Sequence, residues 1–275
     1  MLASGKDEAT IMDIKTGKVT SAPAIEVLNR RGEVSGTLGC APFLQPYAKY
    51  FPDAFFSQGL RAVEDLAGIA VARVAARLDA PAAPREDLLK KLMEGKDAAG
   101  RPLGRDEITA EALTMLIAGS DTTSNTLCAV MFWVLRSPGV LAALQAELDA
   151  ALAAPWKIPA YAAVKNLPYL DAVINESLRM HSTSSLGLPR VVPPQGATVC
   201  GEFFVGGTVL SVPAYTVHHS NAIWGDAEEF RPERWFSLTD EQKKSFIPFS
   251  VGPRACVGQV RALSIITTID IGYVC

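Results

Sequence analysis

The sequence predicts a mainly α-helical protein with a small β region, organised as one mixed domain over residues 1–275. Two observations support this fold class. Between about residues 58 and 182 the chain is rich in Ala and Leu, and its apolar residues recur at spacings of three and four, which is typical of helices. From 183 to 275 it is richer in Gly, Pro and aromatic residues, with short β-branched runs.

The composition is that of a protein with a substantial core. Hydrophobic residues make up 49% of the 275 residues and charged residues 20%. Because 26 Lys and Arg face 29 Asp and Glu, the net charge is −3, which excludes a global nucleic-acid footprint or a polybasic membrane surface. Five cysteines lie far apart without a C-x-x-C pair, which argues against a disulfide scaffold or zinc knuckle and favours a reducing compartment.

Proline positions predict where two helices begin. Ser137 and Pro138 supply an N-cap residue and a proline at the first helical position before a periodic apolar segment. Pro168 similarly opens a segment that runs through Met180. We therefore expect two helices here.

Glycine and proline clusters mark turns and connections. The turn at Gly206 and Gly207 separates short β-rich runs, so a small sheet is expected between about 190 and 218. Residues 79–84 and 97–104 combine Ala, Pro, Gly and charged residues. These two stretches are predicted to be exposed connections.

The apolar segment 113–135 raises the question of a membrane span. Its 23 residues include one formal charge, Asp121, and its length suits a bilayer. Seven polar side chains over residues 120–126 would occupy the bilayer centre, where an Asp alone costs about 2.5–3.5 kcal/mol. We expect a buried helix of a soluble protein. Residues 1–8 have no apolar region, so no signal peptide or anchor is predicted there.

One face of this helix has room for a ligand. Ala118 and Thr122 are four residues apart and share a face, and Gly119 adds no side-chain bulk. Two interpretations stay open from these residues alone. The hydroxyls bond back to carbonyls one turn earlier, as Ser and Thr often do, or Thr122 and the neighbouring Asp121 deliver protons to a bound ligand.

Residues 249–258, Phe-Ser-Val-Gly-Pro-Arg-Ala-Cys-Val-Gly, surround a single cysteine with glycines and an arginine. A lone cysteine is most often a small buried hydrophobe, but this pattern suits an axial thiolate. Gly252 would allow a tight turn beneath a flat macrocycle, and Gly258 would allow the next helix to approach it. Arg254 would pair with an anionic edge such as a haem propionate.

This loop resembles the haem-binding loop of the cytochrome P-450 monooxygenases, and other family motifs follow in the expected order. Residues 118–123 resemble the oxygen-binding stretch of the family's long central helix. Glu176-Ser-Leu-Arg179 resembles its Glu-x-x-Arg pair, and residues 230–234 resemble the segment that adds a second arginine. The resemblance implies a cytochrome P-450 fold, truncated at both ends, and a haem b cofactor.

The resemblance also implies a role for each motif residue. Cys256 would be the axial ligand to iron, whose thiolate favours O–O cleavage. Thr122 would hydrogen-bond dioxygen and Asp121 would connect the site to solvent protons. The other residues implied to bind the haem are Phe249, Gly252, Arg254, Gly258, Arg190, Ala118 and Gly119. The residues implied to form a structural charge network behind it are Glu176, Arg179 and Arg234.

A narrower resemblance points to the fungal benzoate para-hydroxylases, over about residues 25–260. The matching stretches are 32–39, 46–53, 116–126 and 181–190. The implied reaction inserts one oxygen atom from O2 into the para C–H bond of benzoate, with electrons from NADPH through a flavoprotein reductase. Relatives are tethered to the endoplasmic reticulum membrane by an N-terminal helix, so we expect this location for a full-length parent and no transmembrane segment in the present chain.

Hydroxyl residues after the Glu-x-x-Arg helix are candidates for binding the benzoate carboxylate. Thr183, Ser184 and Ser185 follow Ser182 where the family places a substrate-lining segment. Alternatively they cap the helix end or face solvent. The histidines are predicted to be structural or surface residues without a catalytic role: His181, His218 and His219.

Other positions depart from the family pattern. Arg261 and Ile265 stand where an aliphatic residue and a glutamate are usual, although Ala262 matches. The expected N-terminal half and last strands are missing, and residues 265–275 read like a frameshifted or mis-spliced end. A truncated, non-catalytic fragment or gene-model product is therefore an alternative to an enzyme. A haem-thiolate isomerase or dehydratase is disfavoured, since those reactions do not require Asp121 and Thr122.

Overall fold

The computed structural model describes residues 11–12, 19–20, 23–79, 86–152 and 159–269. The chain divides into two compact units, Met1–Ala118 and Gly119–Cys275. The boundary lies inside the longest helix, which contributes residues to both units. As predicted, the protein is mainly helical with small β pairs.

The first unit is built from helices. Its elements are the antiparallel strands β1 (Ile11–Met12) and β2 (Val19–Thr20), α1 (Pro23–Cys40), a 3₁₀ helix (Pro42–Tyr50), α2 (Ala54–Leu78), α3 (Leu88–Met93) and the start of α4 (Arg105–Arg136). Helices therefore begin well before residue 58, where the helical part was predicted to start. Helix α1 was not predicted from the sequence, because this helix contains several glycines and Gly is a poor helix former.

Close packing joins α1 to α2. A Cβ added at Gly59 of α2 would lie 2.5 Å from the Cβ of Val34 on α1, so only glycine fits at this contact. The side chain of Asp53 caps α2 by accepting the backbone N–H of Phe55. Two small buried clusters hold the unit: Val34, Leu38 and Ala48, and then Val74, Leu89 and Ile108.

The second unit contains the larger core. After the C-terminal part of α4 come α5 (Pro138–Ala151), α6 (Tyr161–Val164), α7 (Pro168–Met180), β3 (Arg190–Val191), β4 (Ala197–Val199), β5 (Glu202–Phe204), β6 (Val209–Leu210), α8 (Ala214–His218), α9 (Asn221–Trp224), a 3₁₀ helix (Pro232–Phe236), α10 (Asp240–Ser245), a 3₁₀ turn (Gly252–Arg254) and α11 (Gln259–Ile269). Helices α4, α5, α7 and α11 bury Val130, Val134, Leu144, Leu148, Ile174, Leu178 and Ile266 in one cluster.

Helices α5 and α7 both begin with the predicted proline. Ser137, however, makes no capping hydrogen bond through its side chain, which corrects its predicted role as a side-chain cap. The first turn of α7 is capped by a side chain of α5. The carboxylate of Glu147 on α5 accepts the backbone N–H groups of Tyr169 and Leu170, both at 2.8 Å. Two of the unpaired donors that every helix start leaves are satisfied in this way.

The β region consists of two antiparallel pairs in the described residues, where one small sheet was predicted. Strand β3 pairs with β6 and β4 pairs with β5. The turn between β4 and β5 has positive φ at both Cys200 (51°) and Gly201 (85°), the conformation of a tight two-residue hairpin turn. This turn was not predicted, because cysteine is not a typical turn residue.

Helix α4 is buried along one side only. Thr123, Thr126, Val130 and Val134 are buried at helical spacing, so the expectation of a fully buried helix is correct for this side alone. Within the described residues, no single helix has the length and apolar character needed to cross a membrane. Helices α4 and α5 meet those criteria only as a pair, bent by 109°.

The predicted connections and the two ends of the chain are described to different extents. In the connection 97–104, the Asp97 carboxylate accepts the backbone N–H groups of Ala99 (2.8 Å) and Arg101 (2.9 Å). For the connection 79–84, only Asp79 belongs to the described residues. The N-terminal residues 1–8 lie outside them, as does the end of the atypical tail, 270–275.

Candidate functional site

Glu176, Arg179 and Arg234 form one buried ion cluster. Glu176 and Arg179 lie three residues apart on α7, and both side chains are fully buried. Arg179 donates from Nε and Nη2 to the two carboxylate oxygens of Glu176, at 3.0 and 2.9 Å. Arg234, in the 3₁₀ helix Pro232–Phe236, donates from Nε to Glu176 Oε1 at 2.9 Å. One carboxylate therefore binds two guanidinium groups.

Further hydrogen bonds pair the remaining polar atoms of this cluster. The indole of Trp235 donates to Glu176 Oε2 at 3.0 Å, and the backbone N–H of Arg231 donates to Oε1 at 3.0 Å. The remaining arginine N–H groups donate to backbone carbonyls of His218, Ala227, Glu229, Trp224 and Asp226. Such extra hydrogen bonds are what make buried ions tolerable. The motif could not reveal these partners, which come from loops about 40 to 60 residues later.

The loop around Cys256 is held by its own backbone. Ser250 and Gly252 have positive φ angles of 58° and 74°, which turn the chain before the 3₁₀ turn. The N–H of Cys256 then donates to the carbonyl of Phe249 at 2.9 Å, which closes the loop. Positive φ is unfavourable for a residue with a Cβ, such as Ser250, but carries no steric cost for glycine, so Gly252 has a conformational role here.

The cysteine and its neighbours are open to the surface. Cys256 is exposed, as is Arg254. Three exposed apolar side chains surround the cysteine in sequence: Val251, Val257 and Val260. A Cβ at Gly258 would lie 3.8 Å from Cys256 Sγ, an ordinary contact. The loop thus presents an exposed thiol among exposed apolar residues, with an exposed arginine two positions earlier in the sequence.

On α4, most of the predicted ligand-facing residues are exposed, although they lie within one turn of the buried Thr123 and Thr126. Ala118, Gly119 and Thr122 are exposed and Asp121 is half-buried. A Cβ added at Gly119 would have no neighbour within 4 Å.

Back-bonding accounts for three other polar residues of this helix. Ser124, Asn125 and Thr126 donate from their side chains to carbonyls four residues earlier, at 2.8, 2.9 and 2.8 Å. Ordinary helix back-bonding therefore accounts for that part of the polar cluster.

The remaining predicted residues lie on the segment after α7. Arg190 is exposed and donates to the neighbouring Pro189 carbonyl at 2.9 Å. Thr183 and Ser185 are half-buried and Ser184 is exposed. The hydroxyl of Ser182, by contrast, is buried without a hydrogen-bond partner among the described residues.

Two surface clefts lie away from these residues. One of about 210 Å³ is lined by Arg231, Glu233, Arg234, Ser237 and Gln242. The other, of about 250 Å³, lies in the first unit between α2 and the start of α4. Neither of these two clefts includes Cys256 or Thr122.

A mainly helical fold, a buried carboxylate–guanidinium cluster and an exposed cysteine in a glycine-containing loop are the features that the sequence analysis expects of a haem-thiolate protein. The chain belongs to the cytochrome P450 family, whose family model matches residues 17–269. Membership implies a haem cofactor. The described loop fits that group, because it presents a sulfur donor on an open apolar surface with an arginine two residues away.

Three similar members of the family come from fungi. The chain is 56% identical over 267 residues to a benzoate 4-monooxygenase of Aspergillus niger, which covers 94% of this chain and 52% of that protein. It is 35% identical over 192 residues to a cytochrome P450 monooxygenase of Stereocaulon alpinum (69% and 37% covered). It is 37% identical over 187 residues to one of Aspergillus terreus (63% and 36% covered). The chain therefore spans about half or less of the length of these relatives.

Proposed function

We propose that this chain forms the haem-binding part of a monooxygenase that inserts one oxygen atom from O2 into an aromatic C–H bond, with benzoate as the substrate and its para position as the target. The exposed thiol of Cys256, in a loop that matches the family motif, carries the proposal. The 56% identity to a benzoate 4-monooxygenase supports the choice of substrate. We further propose that the two units belong to one cytochrome P450 domain.

Cys256 has the central role among the binding residues. Its sulfur, as thiolate, would hold the haem iron, and Arg254 and Arg190 would pair with the propionates. Phe249, Gly252 and Gly258 shape the loop, and Ala118 and Gly119 leave space on α4 for the macrocycle. When bound, the haem supplies the redox chemistry that activates O2.

Protons and electrons reach the site by separate routes. The exposed Thr122 holds a proton at Oγ1, and the half-buried carboxyl of Asp121 exchanges it with solvent. Electrons come from NADPH through a flavoprotein reductase. We propose the endoplasmic reticulum membrane as the location of a full-length parent, because the resemblance to the fungal benzoate para-hydroxylases implies it.

The cluster of Glu176, Arg179 and Arg234 is proposed to be structural. Its charges are buried and paired with one another and with backbone groups. The side chains of Glu176 and Arg179 have no exposed surface and that of Arg234 is 3% exposed, so they offer almost no surface to a substrate. Their function is to fix α7 against the segment that leads to the cysteine loop.

The first test is the carbon-monoxide difference spectrum of the reduced, haem-loaded chain. We expect a strongly red-shifted Soret band in the parent and in Cys128→Ala, which removes another exposed cysteine, and no such band in Cys256→Ala. Absence of the band from the parent would contradict the proposal for this chain and would favour a non-catalytic fragment. Equal loss in both variants would show that Cys256 has no special role.

The substrate proposal depends on the hydroxyls after α7. At least one hydroxyl of residues Thr183 to Ser185 is proposed to hold the carboxylate of benzoate away from the iron, and the unpartnered hydroxyl of Ser182 is a further candidate. Alanine at these positions should weaken binding of benzoate more than binding of a neutral aromatic of the same size, as measured by the ligand-induced Soret shift. Equal weakening of both ligands would refute this assignment.

A further inference from the structure

His218, the last residue of α8, is a buried imidazole to which the proposed chemistry assigns no role. Its side chain is fully buried, and Nε2 accepts the backbone N–H of Ile247 at 2.9 Å. Burial, reinforced by the charge of Arg179 and by His219, lowers the pKa of His218 to about 4, so the ring is neutral at pH 7. Because Nε2 accepts a hydrogen bond, the single ring proton is on Nδ1.

The backbone of the same residue contacts the ion cluster. The carbonyl oxygen of His218 accepts a hydrogen bond from Arg179 Nη1 at 2.7 Å. His218 therefore binds Arg179 through its main chain and Ile247 through its side chain. The ring also packs beside Phe246, with 5.6 Å between the ring centroids.

Ile247 begins the segment that carries the cysteine. Its carbonyl accepts the N–H of Ser250 at 3.1 Å, and the carbonyl of Phe249 accepts the N–H of Cys256 at 2.9 Å. A continuous series of hydrogen bonds and short chain segments thus runs from Arg179 through His218 to Cys256. Displacement of Ile247 would change the starting point of this loop.

The two ring nitrogens of His218 differ in what they contribute to stability. The described residues offer Nδ1 no hydrogen-bond partner, and a buried unpaired donor is unfavourable. An apolar residue would avoid that cost but would leave the N–H of Ile247 without its acceptor. A histidine at this position is therefore explained by the hydrogen bond that Nε2 accepts from the N–H of Ile247.

We propose that His218 is a positioning residue, whose Nε2 couples the Glu176–Arg179 cluster to the loop that presents Cys256. The inference rests on the proposed function only for the role of Cys256 as the haem ligand. The contact itself is a property of the chain without haem. Two measurements can therefore address the two statements separately.

The first measurement is hydrogen exchange of the haem-free chain. His218→Phe keeps a planar ring but removes the acceptor. In His218→Gln, the side-chain oxygen can still accept the N–H of Ile247. In His218→Phe, we expect the amide hydrogen of Ile247 to exchange about tenfold faster than in the parent, and the amides of residues 249–258 also to exchange faster. The amides of α7 should keep their protection. His218→Gln should stay near the parent.

The matched control is His219→Gln. His219 neighbours His218 but contacts Glu228 and the carbonyl of Met180 instead of the loop, so exchange over 249–258 should not change. The proposal is overturned by unchanged exchange at Ile247 in His218→Phe, or by equal acceleration in His219→Gln.

The second measurement is the carbon-monoxide difference spectrum of the haem-loaded variants. His218→Phe should lose part of the red-shifted thiolate band in favour of an unshifted band, and His218→Gln should restore it. If the parent shows the band and His218→Phe leaves it intact, coupling to Cys256 is refuted. A parent without the band contradicts the proposed function instead, and the exchange experiment still decides whether His218 holds the loop.

Discussion

The ion cluster on α7 and the loop around Cys256 contrast in how they are held. In the cluster, every charge is buried and bound by several side-chain and backbone groups. In the loop, the cysteine is exposed, and a few backbone hydrogen bonds and positive φ angles set the conformation. A motif that stabilises the fold thus has its polar atoms bonded to other groups of the same chain. A motif that binds a ligand must leave the binding atom accessible.

The largest effect is expected in the cluster. Glu176→Gln leaves the buried Arg179 without its countercharge and Arg234 with only the longer ion pair to Asp226, and it should lower the free energy of unfolding by about 3–5 kcal/mol. Urea unfolding would measure this loss. The control is Glu94→Gln, which removes an exposed pair with Lys91 and should cause no measurable change. Similar losses in both variants would contradict the importance of burial.

The next largest effect is a pH dependence where the two regions meet. His218 is protonated below pH of about 4 in the folded chain, but its ordinary pKa is 6.5. Since the unfolded chain takes up the proton first, this residue should lower the free energy of unfolding as the pH falls from 6.5 to 4, by up to about 3 kcal/mol. Unfolding by urea across this range should show a weaker pH dependence in His218→Gln, and identical slopes would argue against the neutral buried ring.

A smaller effect is expected in the loop itself. Gly252→Ala places a Cβ at a φ of 74°, where nothing crowds it but the conformation is unfavourable. The free energy of unfolding should fall by about 1–2 kcal/mol. For comparison, Gly258→Ala would make only an ordinary contact with Cys256 Sγ and should have little effect on stability. Thermal or urea unfolding of both variants would test whether φ, and not space, determines the cost.

The smallest effect should separate stability from ligand binding. Gly119→Ala fills open space on a helix and should raise the free energy of unfolding by up to about 1 kcal/mol. If this face of α4 adjoins the haem, the same methyl group should reduce haem uptake, measured by titration of the Soret band. Gly68→Ala in α2 is the control, because it also meets open space and should leave haem uptake unchanged.

Local sequence signals predicted the features that depend on neighbours in the chain. Pro138 and Pro168 begin their helices as expected, and the spacing of Glu176 and Arg179 places them on one face of α7. Features that depend on distant segments were missed. Trp235 and Arg231 complete the coordination of Glu176 from more than 50 residues away, and no local pattern encodes such contacts.

Local signals also failed where a residue acts against its usual preference. Cys200 adopts a positive φ, which a non-glycine residue rarely does, so its hairpin was not anticipated. Ser182 was named beside the three substrate candidates but not chosen, although its hydroxyl is the buried one without a partner in the described residues. Burial depends on the tertiary structure, and sequence spacing alone could not distinguish these four hydroxyls.

The cap that Glu147 provides for α7 has a consequence for the order of folding. A helix of 13 residues is marginally stable in isolation, and the donors at its first turn are satisfied by a carboxylate 22 residues earlier in the chain. Helix α7 therefore gains its full stability only after α5 has docked against it. Glu176 and Arg179 then meet Arg234 from a helix whose start is already fixed, so the burial of these charges depends on the prior docking of α5 and α7.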